Sequence, residues 1–131
     1  MIPLVALVYL IIFQDSVPDK PQSVSIIQLV SDPNSFSQKK IVVFGYINIE
    51  HEGNALFLHR EHAEYWIIEN AIWINVADID NKLYLKMKAL SGNYVCLRGY
   101  FDANYKGYPS NFCGTLTKVD YVELLKKRVG N

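Results

Sequence analysis

The chain has 131 residues, half of them hydrophobic and 13% aromatic, with 13 Lys and Arg against 13 Asp and Glu. That length holds one domain with a proper core, and the apolar content excludes a disordered chain. The even charge shows none of the basic clustering that draws in phosphate backbones, so nucleic acid is not an expected partner.

Residues Met1 to Phe13 are apolar apart from Pro3 and Tyr9. A bilayer needs roughly 20 apolar residues, so the run is short for a span; its length suits the apolar region of a secretory signal. Residues 1–16 therefore read as a signal-like segment with a candidate cut after Ser16, or as an uncleaved anchor. Either way the expectation is an exported protein, periplasmic or secreted, that meets a membrane only through this segment. No Lys or Arg precedes the run and no Ala-x-Ala site follows it. Removing residues 1–16 loses only Asp15, leaving 13 positive against 12 negative charges. Residues 17–22, with Pro18 and Pro21, read as a linker, and residues 23–131 as the domain.

Within the domain, Ser23 or Ser25 can cap a short helix carrying Ile26, Ile27, Leu29 and Val30, which Pro33 should end. The run from Lys40 to Glu50 predicts a long first strand with Gly45 inside it, and an interior Gly in a strand marks a bend or a close approach. Strand two follows over Ala55 to His59, then a polar, aromatic-bearing connection over 60–70, then strand three over Ala71 to Val76. Asp80 or Asn81 can cap a second helix through Leu90, with Leu83, Met87 and Leu90 on one face and Gly92 closing it. Strand four spans Tyr94 to Asp102, a loop spans 103–111, and strand five runs from Phe112 to about Val122. The end, from Glu123 to Asn131, reads as a basic tail or short helix. This mainly β order, β-β-β-α-β-β with short helices and an N-terminal helix, is that of a five-stranded OB-like barrel. A generic α+β sheet is the competing arrangement.

Alternation along strands sorts the side chains by face. Leu56, Leu58, Ile72, Ile74 and Val76 belong inside. That leaves Phe57, His59, Trp73 and Asn75 on the outer face of strands two and three, the usual ligand platform of such barrels, with Tyr105 and Tyr108 in the loop after strand four. Open aromatics there could stack a planar ring or a sugar. Alternatively Phe57 and Trp73 lie under the N-terminal helix or the 60–70 connection as a second small core.

His51, His59 and His62 with neighbouring Glu side chains could ligate a metal, but they lack a helical frame and no metal site is assigned. No catalytic set and no cofactor motif stands out. Cys96 and Cys113 fall on strands that neighbour each other in such a barrel. With Val95, Leu97, Phe112 and Leu116 inward, both cysteines face outward, which predicts a cross-strand disulfide if the register brings them opposite; two free thiols are the alternative.

The segments Gln28-Leu-Val-Ser-Asp-Pro33, Lys40-Ile-Val-Val-Phe-Gly-Tyr46, Glu52-Gly-Asn-Ala-Leu-Phe-Leu-His59, Asn70-Ala-Ile-Trp-Ile74 and Gly99-Tyr-Phe-Asp102 together resemble a group of small, often exported bacterial OB-fold-like proteins without an assigned activity. The resemblance spans about residues 24–120. It implies the fold and a bacterial origin, and it transfers no catalytic residue. The expected function is a non-enzymatic binding module of the cell envelope, its ligand a glycan, a peptide or another protein. A single-stranded nucleic-acid binder is second, and a metal carrier or metal-dependent enzyme using the histidines is third.

Overall fold

The computed structural model describes residues 20–130; the signal-like segment 1–16 lies outside that range. The described chain opens with β1 (Gln22–Ser23), α1 (Ile26–Ser31) and a 3-10 turn (Pro33–Phe36), then β2 (Lys39–Asn48) and β3 (Ala55–Phe57). It continues with α2 (Arg60–Glu64), β4 (Ala71–Ile74), α3 (Asn81–Ala89), β5 (Tyr94–Asp102) and β6 (Thr115–Leu124). Gln22, expected in a linker, pairs in parallel with Ile41 at the start of β2.

Hydrogen bonding runs β2-β3-β4-β6-β5 and returns from β5 to β2, closing a five-stranded barrel. Within the barrel all pairs are antiparallel except β4 with β6, where Trp73 faces Thr115 and Ile74 faces Leu116. With α3 between β4 and β5, this is the OB-like barrel expected from the sequence.

β2 closes the barrel because it serves two neighbours. Lys39 to Tyr46 pair with β5, and Tyr46 to Asn48 pair with β3. Gly45 sits at the exchange and points inward. A Cβ there would lie 2.7 Å from both Leu56 Cγ and the Phe57 carbonyl oxygen, and 2.9 Å from Ile26 Cδ1. The glycine is needed for this close approach of backbone and core.

The barrel interior holds Ile41, Val43, Ile47, Leu56, Ile72, Ile74, Val95, Leu97, Phe101, Leu116 and Val122. Both longer helices add to it. Ser25 caps α1 in a reciprocal pair: the Gln28 N–H donates to Ser25 Oγ (3.1 Å) and the Ser25 N–H to Gln28 Oε1 (2.9 Å). Such a box satisfies two backbone donors and fixes the helix start, which seats Ile26 and Leu29 in the core. Met87 enters from α3, with Leu83 and Leu90 half-buried beside it. Among the described residues, no helix is long and apolar enough to cross a membrane.

Candidate functional site

The outer face of β3 and β4 carries the side chains that alternation assigned to it, but that face is closed. Phe57 has no exposed surface and packs with Ala55, Ile68, Ala71 and Phe112 in a second core. Two connections bring the cover. After α2 the chain turns through Trp66, whose φ of +54° is in the left-handed region, and the Ile67 N–H donates to the His62 carbonyl (2.8 Å). That turn lays the Trp66 ring 5.6 Å from Phe57. From the other side, Phe112 stands edge-on to Trp73 at 5.3 Å and to Trp66 at 6.4 Å. Gly107, at φ +75°, lies so near Trp73 that an added Cβ would be 2.8 Å from its side chain.

The expected platform of Phe57, His59, Trp73, Asn75, Tyr105 and Tyr108 is therefore corrected as a single open face. Trp73 is half-covered by the 103–114 loop. Asn75 uses its side-chain oxygen to accept from the Ala77 N–H (3.1 Å), shaping the turn after β4. His59 precedes α2, its ring 4.0 Å from that of His62. Tyr105 and Tyr108 are exposed on the loop. The residues split among a sealed core, two turns and a loop crest.

The disulfide expectation is corrected as well. Both cysteines are free. Glu123, not Cys113, faces Cys96 across β5 and β6. Cys113 lies two residues before Thr115, which faces Asp102. That is six residues along β5 from Cys96, roughly 20 Å at strand spacing and far beyond the reach of a disulfide. The parity also reverses: Phe112 to Gly114 precede β6 rather than belong to it, so Cys113 turns into the barrel core and Phe112 into the outer one. Burial pushes the Cys113 thiol up to about 11, and burial with the nearby Glu123 raises that of Cys96. His51 is exposed beside Glu52, and among the described residues no group of three or more His, Cys, Asp or Glu is placed to hold a metal ion.

Open concave surface lies instead at the start of β5. Two adjoining hollows, of about 330 Å³ and about 410 Å³, share Arg60 and Tyr94. His59 and Glu61 complete the first; Gly92, Asn93, Leu124, Leu125, Lys126 and Lys127 complete the second. Tyr94 organises both. Its hydroxyl accepts from the Arg60 N–H (3.0 Å), and its carbonyl accepts from the Leu125 N–H (2.9 Å). The β2–β5 ladder stops at Tyr46 and Tyr94, whose rings meet edge to face at 5.4 Å, and 39% of Tyr94 stays exposed.

Two cations on the barrel wall are paired by the chain itself. Arg98 and Lys40 share Asp120 at 2.7 and 3.4 Å. Burial pushes the Asp120 carboxyl up, but the hydrogen bonds from Arg98 and Lys40 outweigh it and hold the group below its ordinary value. Lys106 donates to the Cys113 carbonyl (2.9 Å). Arg60, Lys126 and Lys127 make no ion pair among the described residues. Sequence reasoning noted the basic tail but missed this cleft, because residue 60 and residue 125 are brought together through Tyr94, far from both in sequence.

No family model matches the chain, and no curated protein or solved structure is significantly similar to it. The fold defines its class: a small OB-like β-barrel, here with the β3–β4 face filled by its own aromatic side chains.

Proposed function

We propose that this protein is a non-enzymatic binding module of the bacterial cell envelope and that it takes its ligand in the cleft organised by Tyr94. One observation carries the reading. The β3–β4 face is occupied by Trp66 and Phe112, whereas the Tyr94 cleft offers a half-exposed ring beside three cations that have no carboxylate partner among the described residues. A concave site with an apolar floor and a few convergent polar groups is the usual form of a ligand site. Export is supported by the apolar run from Met1 to Phe13, and the bacterial setting by the sequence resemblance.

Two measurements test this. A fusion of residues 1–22 to a reporter active only after export should give signal; a silent fusion with normal expression removes the envelope setting. Chemical-shift mapping of labelled protein against soluble cell-wall glycans and peptides should centre on Arg60, Tyr94 and Leu125. Shifts centred on Trp73 and Tyr108 would return the site to the loop. A second reading, single-stranded nucleic-acid binding, is favoured by the barrel class and the three free cations and opposed by the even overall charge. Fluorescence anisotropy with a labelled oligonucleotide at physiological salt should show weak binding; sub-micromolar affinity with a steep salt slope would install it.

A further inference from the structure

We infer that the ligand of the Tyr94 cleft is an acidic glycan, a saccharide carrying carboxylate groups. The inference rests on the cleft being the binding site, as proposed above, and adds its chemistry.

The charge of the cleft is one-sided. Arg60, Lys126 and Lys127 line it, Arg128 follows directly in the chain, and Glu61 is the one carboxylate among the lining residues. On the barrel wall Asp120 partners Arg98 and Lys40. Among the described residues Arg60, Lys126 and Lys127 have no such partner, so an anion from outside would meet unpaired cations. A guanidinium presents a planar fork that matches a carboxylate, while lysine acts as a point charge. The backbone of Arg60 is fixed at one end of the site, because its main-chain N–H donates to the Tyr94 hydroxyl. At the other end the two lysines follow Leu125, whose N–H donates to the Tyr94 carbonyl.

Between these charges lie the Tyr94 ring, Leu124 and Leu125. A pyranose has an apolar C–H face that packs on such a surface and hydroxyls that hydrogen-bond at its edge. The Tyr94 hydroxyl accepts from Arg60 and keeps its own proton free to donate. The cleft is less suited to single-stranded nucleic acid. Base stacking needs successive aromatic platforms along a groove, and Tyr94 is the only Phe, Tyr or Trp among its lining residues.

Isothermal titration with trigalacturonate and with maltotriose, a neutral sugar of the same length, tests the inference. Trigalacturonate should bind, and maltotriose should bind at least tenfold more weakly. Arg60→Gln and the double variant Lys126→Gln/Lys127→Gln alter exposed side chains and leave the fold intact by circular dichroism. Each should weaken trigalacturonate about tenfold, the size of a lost charged hydrogen bond, with no change for maltotriose. Raising salt from about 0.05 to 0.3 M should weaken the acidic ligand alone, because the charges are exposed to screening. Equal affinity for both sugars, mapped to Tyr94 by chemical shift, would keep the cleft as the site and overturn its acidic specificity. Trigalacturonate binding unaffected by either variant, or tighter binding of a thymidine hexanucleotide in its place, would overturn the inference too. If neither sugar shifts Arg60, Tyr94 or Leu125, the cleft itself is refuted and the inference falls with it.

Discussion

The barrel has two outer faces rich in aromatic side chains, and they meet opposite fates. On β3 and β4, Phe57 is sealed and Trp73 half-covered. On β2 and β5, Phe44 is 48% and Tyr94 39% exposed, with Cys96 and Tyr100 in the same rows. The strands obey the same alternation on both sides. The difference comes from the connections: the 58–70 segment and the 103–114 loop fold back over the first face, and no described segment of comparable length folds over the second. Outward direction on a strand is thus a local property, and openness to ligand is set by chain that lies elsewhere in sequence. In this protein the β2–β5 face, next to the Tyr94 cleft, is the barer of the two.

The largest expected effect concerns the hinge that both faces share. Gly45→Val should cost about 3 kcal/mol or more, the upper range for overpacking, since the new Cβ meets the Phe57 carbonyl and Leu56 at 2.7 Å. A drop of about 10 °C or more in melting temperature is the expected result; an unchanged melt would contradict the account of β2. Next, Trp66→Ala should uncover the second core. Trp66 is 38% exposed, so its truncation should cost about 2 kcal/mol, below the value for a fully buried Trp. Binding of the dye ANS should rise with it. A stable variant that binds no more dye would mean that Trp66 is not the lid over Phe57.

A smaller effect separates the two thiols. Iodoacetamide at pH 8 should modify both without reductant, Cys96 fast and Cys113 at least roughly tenfold slower, because the thiolate is the reacting form and burial holds the Cys113 thiol at about 11. A bond between them would leave neither available. The smallest effect is on the bare face. Asp120 is stabilised as a carboxylate in the folded protein, so its contribution is present above the unfolded value near 4 and is lost as pH falls through the lower folded value. Asp120→Asn should lower the melting temperature at pH 7 by roughly 3 °C or less, as exposed ion pairs do. The difference from the unaltered protein should shrink as pH falls below the unfolded value and vanish once the folded carboxyl is protonated. A difference that grows in acid would reverse the assigned sign.

The fold was readable in the sequence to the extent that its rules are local. Gly45, the alternation in β2 to β5 and the Ser25 cap each act over a few residues, and the strand order followed from them. β6 was placed three residues early because Phe112-Cys-Gly114 has the composition of a strand. Tertiary packing instead sends Phe112 to the outer core and Cys113 to the inner one. The register of β5 against β6 was not readable either. A bulge sets Tyr100 opposite Thr117 while Arg98 faces Tyr121, and no short-range pattern announces that shift. The candidate site was the least legible part. Residues 59–61, 92–94 and 124–127 meet only after the barrel closes, and Tyr94 carried no signal beyond a strand-start aromatic.

The contrast between the faces is measured most directly by paramagnetic relaxation of aromatic ring protons with a neutral soluble gadolinium chelate. Tyr94 and Phe44 should relax strongly, Trp73 weakly, and Phe57 no more than the barrel-core ring of Phe101. Relaxation of Phe57 equal to that of Tyr94 would show the β3–β4 face open in solution, contradict the second core and return the binding site to the platform.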